Sequence, residues 1–131
     1  MIFVDTGAWY SRLVPSEVDH LQVVRWLATQ TEPLLTTDYV VDETLTLFRS
    51  RGHTTLAIAF GDHIFRGDLA RLYVLSETEI RLAWETFRRF DDKGWSFTDC
   101  TSKVVIERLE ITTALALDQH FRQFGSVTVV P

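Results

Sequence analysis

Residues 1–10 read MIFVDTGAWY. Met1 to Val4 is a short apolar run rich in β-branched and aromatic groups, and it stops at a carboxylate, Asp5. Thr6 and Gly7 follow, and a second apolar pattern starts at Ala8. Such a run, closed by a turn signal, predicts a strand buried on both faces. In a parallel sheet, ligands bind beyond the carboxyl ends of the strands. An acid that ends a central strand therefore stands where chemistry is usually done. The alternative for Asp5 is a plain structural one, a cap for the next helix. Position alone leaves both open.

Working outward, the pattern alternates. Ala8 to Val14 predicts a short helix stopped by Pro15, and Ser16 opens a second as N-cap, with Glu17 and Asp19 in its first turn. Leu34 to Thr37 predicts a strand, and Asp38 to Arg51 a helix closed by Gly52. Thr54 to Asp68 predicts a further helix capped by Thr54 or Thr55, followed by a strand from Leu69 to Leu75, strongest at Leu72 to Leu75. Ser76 and Glu79 form a capping-box signature. In the helix they open, Ile80, Ala83, Trp84, Phe87 and Phe90 repeat at helical spacing and predict a core stripe. A helix from Trp95 to Leu109, a strand at Ile111 to Leu117 ended by Asp118, a helical turn at Gln119 to Phe124 and a last strand at Val127 to Val130 complete the chain. Strands alternating with helices predict a single α/β sandwich with a mainly parallel sheet, one domain spanning residues 1–131.

Composition narrows the function. Apolar residues make up 46% of the 131, which fits a chain with a real core and argues against disorder. No apolar run approaches the roughly 20 residues needed to cross a bilayer, and no signal-type segment precedes the first strand. We expect a soluble, cytoplasmic protein. A single cysteine, Cys100, excludes an internal disulfide and a multi-cysteine zinc site. The net charge of −5 suits a passive polyanion binder poorly, because such binding rests on Lys and Arg neutralising phosphates. It suits a metal enzyme better, since a bound cation inverts the sign of an acidic site. Dinucleotide, P-loop and α/β-hydrolase sites lack their glycine or serine signatures here.

What remains is a set of carboxylates at comparable places. Asp5 and Asp118 end strands, and Asp99 starts a helix, where it also complements the helix dipole and has Lys103 four residues away as a surface partner. Glu43 falls on or beside the apolar side of its helix. The positions three and four residues away hold Tyr39, Val40, Thr46 and Leu47, so no intrahelical cation offsets it. Crowded carboxylates repel, and burying them unpaired is costly. A hard divalent cation such as Mg²⁺ or Mn²⁺ removes both objections and fits metal-assisted phosphodiester hydrolysis.

The sequence resembles the PIN-domain nucleases, and within them the VapC-type toxins of toxin–antitoxin pairs. The resemblance is carried by FVDT around Asp5, TTDYVVDETLTL around Glu43, SFTDC around Asp99 and ALALDQHFRQFG around Asp118. It implies a three-layer α/β/α sandwich of strand order 3-2-1-4-5, Mg²⁺- or Mn²⁺-dependent endoribonuclease activity, homodimers and inhibition by a cognate antitoxin. It assigns Asp5, Glu43, Asp99 and Asp118 to catalysis and metal binding, with Thr6 and Thr98 as supporting hydroxyls. Gly7 departs from the Ser or Asn of many relatives, and Lys103 from a position that is often apolar. For His120 we expect a half-exposed packing role. Arg12, Arg49, Arg51, Arg88 and Arg89 are candidate RNA contacts, with solvated helix charges as the alternative for each. Two other functions compete: a catalytically silent PIN-like module that binds RNA or a partner, and a small-molecule phosphohydrolase.

Overall fold

The computed structural model describes all of residues 1–131. Five strands, β1 (Ile2–Val4), β2 (Leu34–Thr37), β3 (Arg71–Tyr73), β4 (Thr113–Leu115) and β5 (Thr128–Val130), form one sheet. Their order is β3-β2-β1-β4-β5 and every pairing is parallel. Phe3 is in register with both Leu35 and Ala114, which makes β1 the centre, and all three of its residues are buried. The apolar opening run thus lies where its composition directs it.

Six helices surround the sheet: α1 (Thr6–Leu13), α2 (His20–Ala28), α3 (Asp38–Ser50), α4 (Thr54–Arg66), α5 (Glu77–Arg89) and α6 (Phe97–Arg108). A 3₁₀ turn, Gln119–Phe124, joins β4 to β5. Crossovers between parallel strands are right-handed. The chain steps outward from β1 to β3 and then reverses to β4 and β5, so α1 to α4 cover one face and α5, α6 and the 3₁₀ turn cover the other. The packing agrees: α1 meets α2 and α3, α3 meets α4, and α5 meets α6. The reversal occurs between β1 and β4, the switch point at which doubly wound sheets open a crevice.

Polar threonines tie the first layer to the sheet. Trp9, fully buried on α1, donates its indole N–H to Thr36 Oγ1 at 3.2 Å, and that hydroxyl donates to the Val4 carbonyl at 3.1 Å. A buried indole needs such a partner. Helix α3 starts where the Thr37 hydroxyl accepts the Val40 N–H. Helix α4 stops at Gly67, whose φ of 77° is the left-handed turn that glycine makes freely.

Several boundaries differ from the sequence expectation. Helix α2 begins at His20 and not after Ser16, because residues 15–19 form successive tight turns, with Glu17 N–H bonded to Val14 O and His20 N–H to Glu17 O. Glu17 reaches Arg51 across the surface. Helix α4 is preceded by His53, and no threonine side chain caps it. The α5 stripe is not a core stripe throughout. Ala83 is buried, but Trp84 and Phe87 are 51% and 41% exposed and stack on each other at 5.9 Å. The face of α5 that turns inward centres on Ala83 and Glu79, a carboxylate 1% exposed.

Candidate active site

Beyond the carboxyl ends of β1 and β4 lies a pocket of about 280 Å³ with no apolar residue in its lining. Asp5, Thr6, Gly7, Glu43, Gly94, Ser96, Asp99, Asp118 and His120 form its wall. Four acids that are far apart in the chain thus meet in one place. The topology explains the meeting. Asp5 follows β1 directly, Asp118 follows β4 at the switch point, Glu43 comes from the first turns of α3, and Asp99 from the first turn of α6. Larger space exists between α3 and α4, about 610 Å³ lined by residues such as Leu45, Ile58 and Phe65. That cleft gathers no set of acids, and size does not decide where the chemistry is.

Asp5 occupies the N-cap position of α1 but makes no side-chain cap bond. Its Oδ1 is buried with no hydrogen-bond partner, and so is the hydroxyl of Thr6 beside it. The capping alternative therefore does not describe it. Burial pushes the Asp5 carboxyl up to about 8; the charges of Asp99, Glu43 and Asp118 add to the rise, and the Thr6 amide pulls the other way. Glu43 is half-buried. Neither it nor Asp5 forms a salt bridge.

Asp99 is 6% exposed and does close a capping box. Its Oδ2 accepts the Ser96 N–H at 3.0 Å while its own N–H donates to Ser96 Oγ at 3.0 Å. The same Oδ2 lies 3.0 Å from His120 Nδ1. Both contacts fall on one oxygen, which leaves Oδ1 for other ligands. Asp118 caps the 3₁₀ turn by accepting the His120 N–H at 2.9 Å, and its Oδ1 lies 3.3 Å from His120 Nδ1. One donor atom from each of Asp99, Asp118 and His120 lies within 4.8 Å of the others. Asp5 and Glu43 face the same pocket outside that tighter group.

Three expectations change. His120 is not a packing histidine: its Nδ1 stands between two site carboxylates, where both neighbours are acceptors and a proton on Nδ1 serves either. A DxH spacing after a strand end was the available signal for it. Thr98 does not line the pocket; Ser96 takes that place, and Thr98 offers its carbonyl to the Thr101 hydroxyl. Lys103 does not pair with Asp99. It meets Glu107 Oε2 at 2.7 Å and lies 5.6 Å from the Phe90 ring centre.

None of the five candidate arginines lines the pocket. Arg51 meets Glu17, Arg88 meets Glu85, and Arg89 lies over Phe90. Arg49 borders the α3–α4 cleft, and Arg12 lines another cleft between α1 and α4. Cys100 is fully buried, and burial pushes its thiol up to about 11, so it stays a neutral packing group.

The donor set fits a hard dication. Carboxylate oxygens and a hydroxyl suit Mg²⁺ or Mn²⁺, while the His120 Nδ1 is engaged by Asp99 and Asp118; the orphaned Asp5 Oδ1 and Thr6 Oγ1 mark polar atoms that the protein alone leaves unsatisfied. Known proteins share the sequence pattern and the fold. The family model described as PIN domain matches residues 2–127. The 23S rRNA-specific endonuclease VapC20 of Mycobacterium tuberculosis is 31% identical over 132 residues, covering 100% of this chain and 99% of that protein. A VapC ribonuclease of Archaeoglobus fulgidus is 32% identical over 123 residues, covering 90% of this chain and 77% of the relative. The crystal structure of M. tuberculosis VapC20, described as a sarcin-ricin loop cleaving toxin, superposes with a TM-score of 0.92 at 30% identity, covering both chains fully. FitAcB from Neisseria gonorrhoeae shares the fold, with a TM-score of 0.73 at 16% identity over 100% of this chain and 97% of that one.

Proposed function

Because the chain belongs to the PIN-domain family, among its VapC-type members, we propose that it is a divalent-metal-dependent endoribonuclease and the toxin of a toxin–antitoxin pair. The observation that carries this is the meeting of Asp5, Glu43, Asp99 and Asp118 in one pocket without apolar lining, with the Asp5 oxygen buried and unpaired.

Asp5, Glu43, Asp99 and Asp118 would hold the ion, Mg²⁺ or Mn²⁺, directly or through waters. When bound, such an ion polarises a phosphoryl oxygen and supplies hydroxide at neutral pH. The chain's own groups do the rest. The Ser96 amide and His120 fix one oxygen of Asp99, and the His120 amide fixes Asp118, so two carboxylates are set before substrate arrives. Fixed geometry of this kind lowers the reorganisation needed at the moment of reaction. Burial, with the neighbouring carboxylates, raises the Asp5 carboxyl to about 8 in the bare pocket, and a cation held there would favour its ionised form. Thr6 offers a hydroxyl to the same space.

The substrate is RNA, and 23S rRNA, named for the M. tuberculosis relative, is the first to test. A cognate antitoxin covers the site when activity is withheld. The protein works in the cytoplasm as a homodimer, for which the exposed Trp84–Phe87 stack on α5 supplies apolar surface. No helix is long and apolar enough to cross a membrane.

The test is RNA cleavage by the purified chain with Mn²⁺ or with EDTA, alongside Asp5→Asn and Asp99→Asn. We expect cleavage only by wild type with metal. Equal cleavage by either variant sinks the site assignment, and RNA binding without cleavage under both conditions points to a silent binding module.

A further inference from the structure

His120 is held by one ring nitrogen and keeps the other in reserve. Nδ1 lies 3.0 Å from Asp99 Oδ2 and 3.3 Å from Asp118 Oδ1, and the backbone N–H of His120 donates to that same Asp118 oxygen at 2.9 Å. Both carboxylates are acceptors, so the proton of the neutral imidazole resides on Nδ1 and Nε2 keeps a bare lone pair. The ring is thus oriented before any ligand arrives. Nε2 has no partner within the chain. The side chain is 32% exposed and stands on the pocket wall, so Nε2 is the polar contact that the ring has left for a ligand.

A bare nitrogen calls for an O–H or N–H donor. Phosphate oxygens only accept and are mismatched to it. The ribose 2′-hydroxyl is a donor present in RNA and missing from DNA, and it sits on the carbon next to the one that bears the 3′-phosphate. Asp99 and Asp118 hold the ring beside the carboxylates that would face the ion and the phosphate, which brings the sugar of the same nucleotide to the ring. No Lys or Arg lines the pocket, and attraction to the backbone charge, which RNA and DNA share, would not separate them in any case. We propose that Nε2 of His120 accepts the 2′-hydroxyl of a ribose flanking the scissile phosphate and so selects RNA over DNA. The proposal rests on the nuclease reading and adds to it the atom that recognises the sugar.

The experiment uses a short RNA containing a bond that the wild-type chain cuts, and the same RNA with a single 2′-deoxy substitution on either side of that bond. Binding is read by fluorescence anisotropy in an Asp5→Asn background, which removes cleavage, at about pH 8, where a free imidazole is neutral. His120→Asn is the matched variant: its side-chain amide N–H stands in for Nδ1–H towards the two acids, while the Nε2 acceptor is gone. One of the deoxy substitutions should weaken binding about fivefold with His120 present and leave it unchanged with His120→Asn. Nitrogen-15 NMR of the metal-free wild-type chain should show a protonated Nδ1 and a bare Nε2, a result that needs no variant. Three outcomes overturn the proposal and leave the nuclease reading standing. They are no deoxy penalty at either sugar, the same penalty with and without His120, or a proton on Nε2. Failure of wild type to cut any RNA would sink the nuclease reading itself, and this proposal with it.

Discussion

Helices α5 and α6 open with the same device and put it to different ends. Ser76 and Glu79 form one capping box; Ser96 and Asp99 form the other. Both acids are buried and both accept the amide of their own cap serine. Glu79 is then fully provided for. Its Oε2 accepts the Tyr73 hydroxyl at 2.6 Å and lies 3.7 Å from Arg108 Nε. Burial works against its charge, but the Ser76 and Tyr73 hydrogen bonds and the Arg108 charge outweigh it, and its pKa falls below the ordinary value. Asp99 faces Asp5, Glu43 and Asp118, with His120 as its only titratable partner that can donate. The local motif fixes half of each carboxylate. The sheet topology decides whether the other half is satisfied or left for a ligand.

Neutralising each acid should separate the two most widely. Asp99→Asn should lower metal-dependent RNA cleavage by more than about a hundredfold, beyond the usual range for groups that only support a metal ligand. Glu79→Gln should cleave at the wild-type rate per folded molecule. Kinetics on both variants, normalised to folded protein by circular dichroism, check this.

The pocket side should also respond to pH with the opposite sign. Asp5 has an ordinary value of 3.8 and a folded value of about 8, so the folded chain holds a proton that the unfolded chain releases. Its contribution is present below about pH 4 and lost as pH rises towards 8. Without metal, wild type should lose stability over that range relative to Asp5→Asn, by on the order of a few kcal/mol. Glu79, with its lowered pKa, contributes above its ordinary value of 4.5 and loses that contribution in acid. Denaturant melts of wild type and both variants across this range separate the signs.

Smaller effects sharpen the structural half. Glu79→Gln keeps the cap but loses a charge-assisted acceptor, which should cost about 1–2 kcal/mol in urea unfolding. Tyr73→Phe removes one hydrogen bond and should cost about 1 kcal/mol.

These contrasts show what the chain made legible. Asp5 was marked by its place after a buried run, and Glu43 by an apolar flank without a cation at three or four residues. The parallel sheet followed from alternation, and its order from the family resemblance. The cap signal alone does not separate Asp99 from Glu79, because Ser-x-x-acid opens a helix in both and says nothing of what lies across the sheet; the family resemblance carried by SFTDC separates them. The role of His120 is hidden for the same reason, since its partner Asp99 is 21 residues away. Trp84 and Phe87 have helical spacing, yet periodicity does not say which of two adjacent stripes turns inward. Buried Glu79 does so beside Ala83 because Tyr73 and Arg108 wait there. Thr98 yielded its place to Ser96 because the cap residue, and not the first-turn threonine, borders the pocket.

Direct Mn²⁺ titration of the metal-free chain, followed by electron paramagnetic resonance at neutral pH, tests the central claim most closely. Wild type and Glu79→Gln should take up the ion with the same affinity, and Asp99→Asn should bind it at least about tenfold more weakly. Equal uptake by wild type and Asp99→Asn would contradict the account.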